Sequence, residues 1–260
     1  MESKMADVIR FKYGPVAILP MEEKPEGALQ FKEGRFGCVT AAFMAAAKRR
    51  RPAVFDRRTF GCPGGGVGLG FGDQYVGFPG GIECYISVGN PEFARSPEAQ
   101  NIRFPTPLDE GEGYFRSSET ARNFVDSLPM TDIPAQYVGF MPLELLTPAE
   151  SPAVIVFLAN TDQLAALSCL AHYDRGGDTA VISPFAAGCQ SLFLLPYAEA
   201  EKDPPRAVIG LTDISARKHV DRDLLSFAVP YRMFRDMEAS VEGSFLARDF
   251  WLRIRERNKE

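Results

Sequence analysis

The run Ala153-Val154-Ile155-Val156-Phe157-Leu158 is apolar at every position. An extended strand points successive side chains to opposite faces, so a strand of this composition must be covered on both. That requirement demands a sheet with further layers above and below it. The rest of the chain supplies them. Short strands are expected at Gly14–Pro20, Pro52–Asp56, Thr179–Ser183 and Ala207–Thr212. Helices are expected at Cys38–Arg51, Ser118–Leu128, Asp162–Tyr173 and Cys189–Tyr197, with two more between Pro230 and Asn258 broken at Gly243. Asn160-Thr161 offers caps for the third of these helices, and Lys48-Arg49-Arg50-Arg51 suits the negative end of the first. Strands alternating with helices predict one α/β domain over residues 1–260, with a mixed, partly parallel sheet and helices on its faces, parallel where crossovers occur.

Composition excludes several classes. A net charge of −5 argues against a nucleic-acid binder. Glu2 and Asp7 stand where a secretory leader needs an apolar run, so a cytoplasmic protein is expected. No stretch approaches the ~18 apolar residues of a membrane span, so no membrane partner is expected. Five cysteines are too few, and odd in number, for a disulfide scaffold.

Their placement carries the chemistry. Cys38, Cys62 and Cys189 each follow a glycine, whereas Cys84 and Cys169 do not and read as core residues, the first on a strand and the second inside an apolar helix. Cys38 and Cys189 stand at expected helix starts, where free N–H groups favour a thiolate. Cys62 opens the segment 61–81, in which ten of 21 residues are glycine. Such a segment, read as a loop, lets backbone approach a ligand closely and turn N–H groups inward. Cys62 also precedes Pro63, as ligating cysteines do in bacterial ferredoxins. Three cysteines in N–H-rich settings suit an iron–sulfur cluster of [4Fe-4S] type, one iron being left to a non-cysteine ligand. The spacings, 24 and 127 positions, hold no compact pair, so buried apolar cysteines remain the competing reading. Zinc is disfavoured because His172 and His219 are the only histidines and neither is paired with a cysteine.

The expected cofactor-binding residues are therefore Cys38, Cys62, Cys189, Gly64, Gly65, Gly66, Asp213 and Arg217, the three cysteines being the metal ligands. Asp213 and Arg217 enter because Leu211–Lys218 follows a buried strand, where open α/β sheets place ligands. A small-molecule ligand or redox partner follows from this chemistry, and a homo-oligomer is left open. The alternative is a non-redox protein that binds an anionic small molecule, or a thiol-dependent enzyme without metal. One pattern bears on architecture. A Gly-Cys dipeptide opens a helix that leads to an Ala-Val strand ending near an aspartate twice, from Cys38 to Ala53 and Asp56 and from Cys189 to Ala207 and Asp213. Either the halves 1–150 and 151–260 are related units sharing a central site, or short apolar strands resemble each other by chance.

The motifs Gly37-Cys38-Val39, Phe60-Gly61-Cys62-Pro63-Gly64-Gly65, Gly68-Leu69-Gly70-Phe71, Ala187-Gly188-Cys189-Gln190-Ser191, Ile209-Gly210-Leu211-Thr212-Asp213-Ile214-Ser215-Ala216-Arg217 and Glu242-Gly243-Ser244-Phe245-Leu246 resemble, in order and over nearly the whole chain, the "domain of unknown function 169" family. The three Gly-Cys positions match the motif cysteines of that family. Its members, bacterial and archaeal and many of them anaerobic, are largely uncharacterised, so the resemblance implies a setting that tolerates an oxygen-sensitive cofactor and supplies no activity.

Overall fold

The computed structural model describes residues 1–147 and 149–257. A seven-stranded sheet runs through it: β1 (Val16–Met21), β2 (Ala53–Phe55), β3 (Tyr137–Pro142), β4 (Val154–Ala159), β5 (Val181–Ile182), β6 (Ala207–Gly210) and β7 (Leu225–Pro230), in the order β2-β3-β1-β4-β7-β6-β5. The apolar run is β4, and it obeys the two-residue period. Val154, Val156 and Leu158 enter one core with Phe43, Phe140 and Phe193. Ile155, Phe157 and Ala159 enter the other, with Leu167, Phe227, Phe234 and Trp251. The first core is covered by the helix Val39–Arg49 and the turn of π-helix Gln190–Leu194. The second is covered by the helices Lys4–Ile9, Thr161–His172, Tyr231–Ser240 and Asp249–Glu256. Each large apolar side chain so buried contributes about 1.5–3 kcal/mol.

The sheet is mixed, as expected, but β5–β6 is its one parallel pair among the described strands. Each crossover does join parallel strands. β1 and β2 run the same way, yet β3 lies between them, antiparallel to both. β7 lies likewise between β4 and β6. Neither β3 nor β7 belongs to the expected set. β3 falls between Asn90 and Pro152, a stretch rich in proline and turn residues, and Gly139 interrupts its pattern because Met21 Sδ occupies the space a side chain would need. β7 is interrupted by Ser226. Apart from the edge strand β5, the order is symmetric about the antiparallel pair β1–β4, where Val16, Ala17 and Ile18 face Val156, Ile155 and Val154. The equivalent strand ends make equivalent bonds: Leu143 N–H donates to Pro15 O (2.9 Å) and Tyr231 N–H to Ala153 O (3.0 Å).

Three further expectations change. The glycine-rich segment is not all loop, since Pro63–Gly68 forms a helix with Pro63 in its first turn. Cys84 lies half-buried on the short helix Ile82–Tyr85 and not on a strand. Cys169 is exposed on its helix, because Ala166, Leu167, Leu170 and Ala171 take the buried face. The last expected helix extends to Asn258, which lies outside the described residues. No helix is long and apolar enough to cross a membrane among the described residues.

Candidate functional site

Three remote segments meet on the face of the first core, and the glycines explain how. Gly37 N–H donates to Gly61 O (3.3 Å), and Gly61, at φ +82°, leaves no room for a Cβ against Gly37 O. A Cβ on Gly188 would stand 2.6 Å from Thr40 Oγ1, on the helix that Cys38 opens. A Cβ on Gly68 would stand 2.7 Å from that of Cys189. The glycine before each cysteine is therefore a contact between segments, which a side chain would force apart.

The result is that Cys38, Cys62 and Cys189 line one cavity of about 430 Å³. Cys38 and Cys62 cap the helices Val39–Arg49 and Pro63–Gly68, and Cys189 directly precedes the π-helical turn. Cys62 Sγ accepts Gly65 N–H (3.2 Å), while the Cys189 thiol donates to Gly64 O (2.9 Å). At Cys62 and Cys189 burial outweighs the N–H groups that favour a thiolate. Burial pushes the Cys62 thiol up to about 11, against the help of the Gly65 N–H and with further opposition from Cys38. Burial first, and then charge on Cys62 and Cys38, raises Cys189 well above an ordinary thiol. Without a cation beside them, Cys62 and Cys189 keep their protons.

Asp213 lines the same cavity and organises it. Its Oδ1 accepts from Tyr114 OH (2.8 Å), Ser215 N–H (2.9 Å) and Ser215 Oγ–H (2.9 Å), and its Oδ2 accepts Gly188 N–H (3.1 Å) beside Cys189. Gly64 lines the cavity, whereas Gly65 and Gly66 stand behind it, within the helix. Arg217 is not brought to the site: its guanidinium donates to the carbonyls of Leu224 (2.6 Å), Arg222 (2.7 Å) and Asp221 (3.2 Å), closing the turn that leads to β7.

Several lining residues have no counterpart among the expected ones. Glu112 has its carboxyl raised to about 7, by burial and then by the charge of Asp213, with Lys218 opposing. Tyr75 is held well above an ordinary phenol by burial, and its oxygen accepts from Gln190 Nε2 (3.0 Å). Tyr114 is pushed to about 12 by burial and by its bond to Asp213. The available signal was aromatic: Phe104, Tyr114, Phe115 and Phe124 sit in a stretch rich in turn residues, where such rings need something to cover. Among the described residues no group of three or more Cys, His, Asp or Glu side chains is arranged to hold a single metal ion.

A family model described as "Uncharacterised ArCR", the domain of unknown function 169, matches residues 4–240. The chain belongs to this family. The match takes in all three Gly-Cys motifs, Glu112 and Asp213, so the whole cavity is a property of the family-matched part of this domain of unknown function 169 protein. Neither the curated proteins nor the solved structures offer a match.

Proposed function

We propose that this protein binds an iron–sulfur cluster of [4Fe-4S] type through Cys38, Cys62 and Cys189, and serves in electron transfer or in redox chemistry on a small ligand. The observation that carries the proposal is the convergence of the three Gly-Cys cysteines on one cavity from positions far apart in the chain. In a cubane each thiolate binds a different iron, so its ligands need not gather round a point as those of zinc do. The absence of a single-ion arrangement among the described residues therefore weighs against zinc more than against a cluster. A coordinated thiol loses its proton outright, which would supply the cation these buried thiols lack. When bound, the cluster supplies one-electron chemistry, tuned by burial and by N–H donors near its sulfurs. Gly65 N–H, already on Cys62, is such a donor. Asp213 holds Cys189 in place through Gly188, and either Asp213, a small molecule or water would complete the iron that no cysteine reaches.

The raised Cys62 and Cys189 thiols argue against a metal-free thiol nucleophile, which needs a depressed pKa. Two carboxylates in the cavity argue against an anionic ligand. The test is anaerobic reconstitution with iron and sulfide. Brown protein with stoichiometric iron and sulfide, lost in Cys62→Ser, is expected. Colourless, iron-free protein after reconstitution overturns the proposal and returns the metal-free alternative.

A further inference from the structure

The cysteines occupy one wall of the cavity, and the others have a different character. Phe78, Tyr85 and Phe104 form one aromatic cluster, with ring centroids 5.0 to 5.3 Å apart. Phe115, Phe124 and Phe185 form a second, at 5.1 to 5.4 Å. All six rings line the same cavity. Its volume, about 430 Å³, lies within the ~300–1,000 Å³ of small-molecule sites. Phe36, Phe185 and Ile214, which also line it, are 58%, 46% and 73% exposed. Apolar side chains grouped at the rim of a cavity mark a binding surface more than a packing accident.

The polar end is specific too. Glu112 is half-buried in the cavity, and no hydrogen bond or ion pair engages its carboxyl among the described residues. The neighbouring Asp213 is already satisfied by four donors. Glu112 therefore has acceptor capacity to spare, while the charge of Asp213 opposes an anion. Lys218 offsets this only from an exposed position. Aromatic walls prefer offset or edge contacts with another ring over contact with a saturated body.

We propose that the cavity binds a planar aromatic molecule that presents a hydrogen-bond donor to Glu112. This goes beyond the cluster proposal and stands without it, because neither the aromatic walls nor Glu112 are cluster ligands.

Calorimetry on the full chain with four probes tests it: β-naphthol, its methyl ether, β-naphthoate and decahydro-β-naphthol. β-Naphthol is expected to bind about tenfold more tightly than the ether, which lacks the donor, a ratio set by one hydrogen bond to a carboxylate. The saturated alcohol and the naphthoate should bind more weakly than β-naphthol. Glu112→Leu should bind naphthol and ether alike, and Phe185→Leu, at an exposed ring, should narrow the gap between naphthol and its saturated analogue. No binding by any probe overturns the inference. So does equal binding of the saturated alcohol, tighter binding of naphthoate, or an unchanged donor preference in folded Glu112→Leu. Iron is counted in the same samples. Failure of all probes in protein with stoichiometric iron sinks this inference alone, whereas donor-selective binding in protein that stays iron-free after reconstitution sinks the cluster proposal alone.

Discussion

At the scale of the residue, the cavity's two carboxylates do opposite things. Asp213 accepts four hydrogen bonds and fixes backbone, whereas the Glu112 carboxyl accepts none among the described residues. The Glu112 carboxyl is raised to about 7, above its ordinary value. In the cluster-free protein the folded state thus keeps a proton that the unfolded chain releases above about pH 4.5. Its contribution to stability is fully present below that value and is lost as pH rises through about 7. Urea midpoints measured across this window should fall with rising pH in the wild type, and the fall should be shallower in Glu112→Gln. An equal slope in both would show that another group carries the dependence. Asp213→Ala leaves Gly188 N–H and Tyr114 OH without their acceptor, and each buried group so orphaned costs about 1–3 kcal/mol. Denaturant unfolding should register that loss, Asp213→Asn should recover part of it, and iron uptake by Asp213→Ala should drop as the Gly188-Cys189 turn loosens.

At the scale of the element, the site is a matter of close approach. The helix Pro63–Gly68 lies against the start of the Cys189 helix with only hydrogen atoms on its Gly68 face. Gly68→Ala would set a methyl 2.7 Å from Cys189 Cβ. An overpacked contact of this kind costs about 1–3 kcal/mol, and the helix must move away from a cysteine that the cluster proposal needs. Gly176→Ala has open space at its position and no positive φ, so it should stay within about 0.5 kcal/mol. Thermal melts and iron content of the two variants should therefore diverge, and parallel behaviour would refute the role given to Gly68. This contrast also shows what was legible beforehand. The Gly-Cys dipeptides could be singled out from the chain because buried cysteines have no need of a preceding glycine. That Pro63–Gly68 is a helix could not, since glycine is a poor helix former in isolation and tertiary contact overrides the preference here. Cys169 misled in the opposite direction: an apolar helix has an exposed side, and only packing says which residue takes it. Glu112 and the aromatic walls come from irregular segments with no period to read.

At the scale of the molecule, one sheet separates two cores, and the cavity lies on the side of the first. The β4 run announced two covered faces, but the strands that set neighbour against neighbour, β3 and β7, were hidden by Gly139 and Ser226. They turn crossovers that join parallel strands into a largely antiparallel sheet. The division yields a test of the whole arrangement. Phe193 is fully buried on the cavity side and follows Cys189 by four positions, whereas Phe227 is fully buried on the far side, among Phe157 and Phe234. Either truncation to Ala should cost about 3–5 kcal/mol in denaturant unfolding. Their effects on the site should separate. Phe193→Ala withdraws the packing that seats the π-helical turn after Cys189, so folded Phe193→Ala protein should bind less iron and less β-naphthol. Phe227→Ala should bind both as the wild type does once corrected for the fraction folded. If Phe227→Ala instead empties the cavity while the protein remains folded, the sheet transmits strain between its faces, and the separation of scaffold from site argued from the two cores fails.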